Sequence, residues 1–283
     1  MASAILLISC PDQPGLVAKV TAFLYEHHGN ILDLHQHVDR KDNIFFMRTA
    51  WDLDSFDIPP DDIATAFEPI ANQHNMTWDL HFSNEKLKMA IFVSKHAHCL
   101  YDLLARWQSG EFVVDIPLII SNHPDQESAA DAFDIPYYHL PITKATKQEQ
   151  EAAQLNLLAQ HQVDFVVLAR YMQVLTADFV SYYPNRIINI HHSFLPAFAG
   201  AKPYHRAHER GVKIIGATTH YVTAELDGGP IIAQNVANTD HQDAISDLIR
   251  KGRDLEKTVL ARGVYLHLQH RILVYNNKTI VFA

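Results

Sequence analysis

The sequence predicts an α/β protein of two domains: a ferredoxin-like βαββαβ domain over residues 1–83 and a mainly parallel, Rossmann-like domain over residues 84–283. Three observations lead there. The chain has 283 residues, more than one small core needs and enough for two. Strand and helix patterns follow one another in the order βαββαβ up to Phe82. After the polar link Ser83-Asn84-Glu85-Lys86 the pattern changes to apolar strands alternating with helices, which implies a mainly parallel sheet covered on both faces.

Each element has its own signal. Residues 4–10 are an apolar run that reads as a buried strand. The turn Pro11-Asp12-Gln13-Pro14-Gly15 leads into Leu16, Val17, Val20, Phe23 and Leu24 at helical spacing, and Gly29-Asn30 closes that helix as a left-handed cap would. Ile31–Val38 and Asn43–Asp52 read as strands around a polar turn. Pro59-Pro60 opens a helix carrying Ile63, Ala66, Phe67 and Ile70, and Met76–Phe82 is the last strand of the first domain. In the second domain, strands are expected at Met89–Val93, Ile116–Ser121, Asp164–Leu168, Arg186–Ile190, Lys213–Tyr221 and Ile231–Val236. Helices are expected at 97–108, 147–161 and 241–267, and Arg271–Tyr275 with Lys278–Phe282 reads as a closing hairpin about Asn276-Asn277.

Composition narrows the partners. Lys plus Arg number 23 against 32 Asp plus Glu, a net charge of -9, which argues against a nucleic acid. The amino terminus lacks the basic flank of a signal peptide, and no run approaches the roughly 18 apolar residues of a membrane span. Cys10 and Cys99 are too few for a disulfide framework, so a cytoplasmic setting is expected. Nineteen histidines include His35/His37, His98 and His205/His208, but no Cys or carboxylate cluster accompanies them at ligand spacing, and no metal is expected.

In open parallel sheets ligands sit beyond the carboxyl ends of the strands, so the residues that follow each strand are the informative ones. Strand 186–190 delivers Asn189-Ile190-His191-His192, where alternation puts the Asn189 and His191 side chains on one side. An amide can meet a carbonyl oxygen as it turns into an oxyanion, and an imidazole can move a proton beside it. Asp227 lies in the glycine-rich stretch Leu226-Asp227-Gly228-Gly229-Pro230, 36 residues further on (227 minus 191). Its carboxylate favours a charged, fixed imidazole. His192 and His220 are the runner-up bases.

The two segments together resemble the signature of the formyltetrahydrofolate-dependent formyltransferases and their relatives. The resemblance implies that Asn189 polarises the formyl carbonyl, that His191 protonates the tetrahedral species, and that Asp227 holds His191 and assists the nucleophile. Leu168–Leu175 is similar to the family segment whose backbone binds the pterin ring, which implies main-chain hydrogen bonds from Gln173 and Leu175 and a pocket lined by Met172 and Val174. The Asp12–Gly15 turn and Asn30 resemble the ACT domain, a small-molecule-sensing module, and mark Asp12, Gly15 and Asn30 as candidate effector contacts. Relatives that formylate glycinamide ribonucleotide carry a glycine-rich loop after their first strand, whose N–H groups hold a phosphate. Here Val93 is followed by Ser94-Lys95-His96-Ala97-His98, without glycine, which leaves water as the simplest nucleophile.

An ACT-like domain joined to a formyltransferase-like domain is similar, over nearly the whole chain, to the formyltetrahydrofolate deformylase family. Pro136–Thr143, Gly211–Thr218 and Gly252–Lys257 agree with it, the last reading as a solvated helix face of mixed charge. The family implies hydrolysis of 10-formyltetrahydrofolate to tetrahydrofolate and formate, with formate feeding purine synthesis and one-carbon folate pools kept in balance. The alternative is transfer of the formyl group to an amine. It further implies no cofactor beyond the folate substrate, amino-acid effectors such as methionine or glycine, and a homodimer or homotetramer.

Overall fold

The structure, a computed structural model, describes residues 2–196 and 203–283. It consists of two compact units. The first takes residues up to Lys86 together with His270–Leu273 and Ile280–Ala283; the second takes Leu87–Gln269 and Val274–Thr279. The carboxy-terminal residues in the first unit depart from a simple division at 83/84. Their anchor there is charged: the buried Arg48 donates from Nε to the His270 carbonyl at 2.9 Å and from Nη1 to Asp33 at 2.6 Å, and Arg271 Nη2 lies 3.4 Å from Asp33.

The first unit has the βαββαβ order: β1 (Ser3–Pro11), α1 (Leu16–Glu26), β2 (Ile31–Asp39), β3 (Ile44–Asp52), α2 (Pro60–Gln73) and β4 (Thr77–Phe82). The sheet order is β2-β3-β1-β4 and all pairings are antiparallel. Leu24, Trp51, Ile63 and Phe67, each at most 1% exposed, form the core between sheet and helices. One local expectation needs correction. The left-handed residue after α1 is His28, φ 58°, rather than Gly29. Gly29 serves close packing instead, because a Cβ there would meet the Leu24 carbonyl at 3.0 Å and the Phe56 ring at 3.1 Å.

The second unit is built on a seven-stranded sheet of order β11-β10-β9-β8-β5-β6-β7. Its strands are β5 (Lys88–Val93), β6 (Asp115–Ser121), β7 (Tyr137–His139), β8 (Phe165–Ala169), β9 (Ile187–His191), β10 (Ile214–Tyr221) and β11 (Ile231–Asn238). The first five are parallel, and β10 runs antiparallel to both its neighbours. The helices are α3 (His98–Gln108), α4 (Glu127–Asp131), α5 (Lys147–Gln160), α6 (Ala177–Ser181), α7 (Pro203–Arg210) and α8 (Ile245–Leu268). The closing hairpin is β12 (Ile272–Tyr275) and β13 (Lys278–Val281). Strand order reverses between β5 and β8, so the ends of β5, β8 and β9 open the crevice where doubly wound sheets take ligands.

Candidate functional site

The site begins with strand register. Across the antiparallel β9–β10 pair, Asn189 faces His220 and His191 faces Thr218. The β10–β11 pairing shifts register between Thr219 and His220, an irregularity that re-aims side chains where the ladder breaks. Asn189 Nδ2 donates to His220 Nε2 at 3.1 Å, and His220 Nδ1 donates to the Tyr221 carbonyl at 2.8 Å. The second bond settles the tautomer of the buried His220: its proton is on Nδ1 and its lone pair on Nε2. Burial holds this imidazole below the usual range and keeps it neutral. One N–H of the Asn189 amide is thereby fixed, and the other remains for a ligand.

Asp227 completes the arrangement from the loop between β10 and β11. His191 Nδ1 lies 3.2 Å from Asp227 Oδ1, and His220 Nε2 lies 3.8 Å from the same oxygen. The hydrogen bond from His191 holds the Asp227 carboxyl below the ordinary carboxylate range. With Nδ1 turned to Asp227, His191 Nε2 is buried and has no hydrogen-bond partner among the described residues. Asp227 itself has φ 54°, a left-handed conformation uncommon outside glycine and tolerated better by Asp than by most residues. The loop is strapped down on several sides. Tyr221 N–H donates to the Pro230 carbonyl at 2.9 Å, and Asn277 Nδ2, from the hairpin turn, donates to the Gly228 carbonyl at 2.7 Å. Gly229 has no alternative, since a Cβ there would lie 1.9 Å from the Tyr221 oxygen.

A cavity of about 570 Å³ brings Met172, Gln173, Val174, Leu175, Asn189, His191 and Asp227 together. Its size suits a drug-sized or cofactor-sized ligand. Met172 and Val174 are 55% and 54% exposed, so two apolar side chains face open space, while Leu175 tucks into the core at 8%. The Met172 N–H donates to Ser94 Oγ at 2.9 Å, and Ser94 Oγ donates to Asn122 Oδ1 at 2.6 Å. The segment after β5 is thus tied to the segment after β8 by a side chain. His192 lies just past the end of β9 and lines the same cavity, 5.3 Å from the His191 ring. Burial, reinforced by the Arg170 charge, pushes it down to about 4.

Asp12, Gly15 and Asn30 belong to the first unit. Asp12 N–H donates to the Asn43 carbonyl at 2.9 Å, Gly15 precedes α1 with φ 93°, and the Asn30 carbonyl accepts from Asp52 N–H at 3.0 Å.

A buried polar cluster that no sequence motif announced borders the same cavity. Glu256 of α8 is 1% exposed, so the Gly252–Lys257 stretch is only partly a solvated face: Gly252 and Glu256 point inward while Arg253 and Asp254 stay out. Glu256 Oε2 lies 2.7 Å from His98 Nε2, and Oε1 accepts from Tyr204 Oη at 2.7 Å. Gly252 makes room, because a Cβ there would lie 2.1 Å from that hydroxyl. Ligand atoms of His98, Cys99 and Glu256 lie within 4.8 Å of one another. The Cys99 thiol is pushed far up by burial and Glu256 is committed to His98 and Tyr204, so the trio reads as a hydrogen-bonded structural cluster. The available signal was the helical period, which puts Gly252 and Glu256 four apart on one face.

The formyl transferase family matches residues 87–264 and the ACT domain matches residues 4–54, which defines the class: a formyl transferase fold preceded by an ACT domain. The formyltetrahydrofolate deformylase of Synechocystis sp. is 59% identical over 99% of each chain, and that of Escherichia coli is 44% identical over 98% of this chain and 97% of its own. The crystal structure of a formyltetrahydrofolate deformylase from Pseudomonas syringae covers 100% of this chain and 95% of its own, with a TM-score of 0.98 at 48% identity. A glycinamide ribonucleotide transformylase from Symbiobacterium toebii covers only 72% of this chain, with a TM-score of 0.67 at 28% identity. The chain belongs to the formyltetrahydrofolate deformylase family.

Proposed function

We propose that this protein hydrolyses 10-formyltetrahydrofolate to tetrahydrofolate and formate, which supplies formate for purine synthesis and balances the one-carbon folate pools. The observation that carries the reading is one cavity holding the Asn189–His220 and His191–Asp227 pairs, bordered by His96 and His98 of the stretch after β5, which carries no glycine.

The chemistry follows from the free atoms. With Nδ1–H on the Asp227 carboxylate, His191 offers Nε2 as the base. It takes a proton from water as the water oxygen bonds to the formyl carbon. The carbonyl oxygen becomes an oxyanion and meets the free N–H of Asn189, whose rotation is stopped by His220. Collapse breaks the bond between the formyl carbon and N10 of the folate, and His191 returns the proton to N10. Asp227 orients the imidazole and stabilises its charge throughout, which divides the work between the two residues. The pterin lies against Met172 and Val174 and is read by the main chain of Gln173 and Leu175. No cofactor beyond the folate substrate is required.

Transfer to an amine is the less favoured reading. The two separate on a simple assay: the protein incubated with 10-formyltetrahydrofolate alone releases formate and tetrahydrofolate in equal amounts. If turnover begins only when an amine acceptor is added, the hydrolytic reading fails.

The ACT unit suggests control by an amino acid, methionine or glycine, bound near Asp12, Gly15 and Asn30. β2 is an edge strand with Ile31 and Leu32 exposed, a suitable seam for a homodimer or homotetramer. Among the described residues no helix is long and apolar enough to cross a membrane, and the setting we assign is cytoplasmic.

A further inference from the structure

We infer that Lys147 and Glu151 of α5 are positioning residues for the folate: they hold the main chain of the segment between β8 and α6 so that its other edge meets the pterin. What that edge binds rests on the folate reading; how it is held rests on the contacts of α5.

Residues 171–176 belong to no strand or helix, so their backbone groups lack a ladder and have to be met one at a time. Three side chains do this at every second residue. Met172 N–H donates to Ser94 Oγ at 2.9 Å, Lys147 Nζ donates to the Val174 carbonyl at 2.5 Å, and Thr176 N–H donates to Glu151 Oε1 at 3.2 Å. Thr176 Oγ1 also donates to Glu151 Oε2 and accepts from Phe179 N–H at 3.2 Å, which ties the same carboxylate to the cap of α6. Among the described residues nothing hydrogen-bonds the main chain of Gln173 or Leu175, and both border the cavity. Held groups alternate with unheld ones, as on the two edges of an extended chain. The gripped edge is 172, 174 and 176; the edge left for a ligand is 173 and 175.

The composition of α5 points the same way. Its buried residues are Glu151, Gln154 and Leu158, two polar and one apolar. A helix that packs for stability alone buries apolar side chains on that face, and a buried carboxylate is costly unless its oxygens are hydrogen-bonded. Both oxygens of Glu151 are taken by Thr176, and Gln154 Nε2 donates to Tyr171 Oη at 3.0 Å. Lys147, Glu151 and Gln154 fall at i, i+4 and i+7, so one row of the helix meets the segment at Val174, Thr176 and Tyr171. Packing cannot replace this row. Met172 and Val174 turn outward, so the core grips the segment at Tyr171 and Leu175 and leaves the residues between them to the polar contacts. Lys147 Nζ lies 3.9 Å from Glu151 Oε1, which joins the two holding groups to each other.

The test is tetrahydrofolate binding and steady-state turnover of 10-formyltetrahydrofolate by the full chain, with Tm measured beside them. Lys147→Met should weaken tetrahydrofolate binding and raise KM by about tenfold. Its kcat should stay within about twofold of the parent, because the reacting groups keep their places. The Lys147 side chain is 32% exposed, so its loss should move Tm by no more than about 2 °C. Lys147→Arg, which keeps a donor, should recover most of the affinity. Glu151→Met should act in the same direction and more strongly, and the Lys147 variants carry the test alone should that variant not fold. Unchanged Kd and KM in Lys147→Met would overturn the proposal. So would a fall in Tm and kcat at constant KM, the outcome of a purely structural role. A chain that binds tetrahydrofolate, and binds it more weakly as Lys147→Met, yet releases no formate would defeat the hydrolytic reading and leave the positioning role standing. A parent that binds no folate would defeat both.

Discussion

At the scale of single residues, the site turns on a hydrogen-bond chain that ends in a backbone carbonyl: Asn189 to His220 to Tyr221. That chain leaves one Asn189 N–H for the oxyanion, so Asn189→Ala should fold normally but lose about a hundredfold to a thousandfold in kcat, with KM little changed. Steady-state kinetics alongside a circular dichroism spectrum checks this; near-parental kcat would remove Asn189 from the site. Asn189, His191 and Asp227 were legible in the sequence because their motif sits at strand ends and in a glycine-rich loop. His220 was visible only as a spare base, since its true position depends on the β9–β10 register, which no local pattern states. Arg170 and Glu256 were hidden for another reason. Their charges look solvated until α8 is packed and Tyr204 enters over Gly252.

At the scale of elements, the loop between β10 and β11 is the part with least freedom. Gly229→Ala should displace Asp227 without touching any reacting group, and turnover should fall on the order of a hundredfold, as misplacement by about an ångström does. The comparison is with Gly211→Ala, where a Cβ meets nothing within 4 Å but φ is 67°: that variant should lose some stability and little turnover. Equal turnover in the Gly229 variant and the parent would show that the loop does not position Asp227. The long strands and helices followed from periodicity, whereas β7, three residues long, and α6, five residues long, carry too little pattern to be read alone. The cap after α1 shows a different limit. A Gly-Asn pair signals a left-handed turn, but here His28 takes that conformation and the glycine serves close packing.

At the scale of the whole molecule, the grouping of His270–Leu273 with the first unit was illegible because it depends on Arg48 and Asp33, more than two hundred positions away in sequence. Stability against pH is the property that sums such contacts. His192 is held at about 4 in the folded chain and titrates near 6.5 when unfolded, so the unfolded state binds its proton first as pH falls. Folding is then weakened between about pH 6.5 and 4, by up to about 3 kcal/mol from this residue. His81, His96 and His220 are lowered as well and act in the same direction. Denaturant midpoints measured at steps from pH 7 to pH 4.5 should fall in the parent and fall less in His192→Gln; parallel slopes would contradict the buried, neutral His192. The central claim, that the His191–Asp227 pair delivers water to the formyl carbon, has a more direct test. Turnover of 10-formyltetrahydrofolate in ¹⁸O-water should give formate carrying one solvent oxygen beside the original carbonyl oxygen. Formate without the label, or a formyl group found on an amine instead, would contradict it.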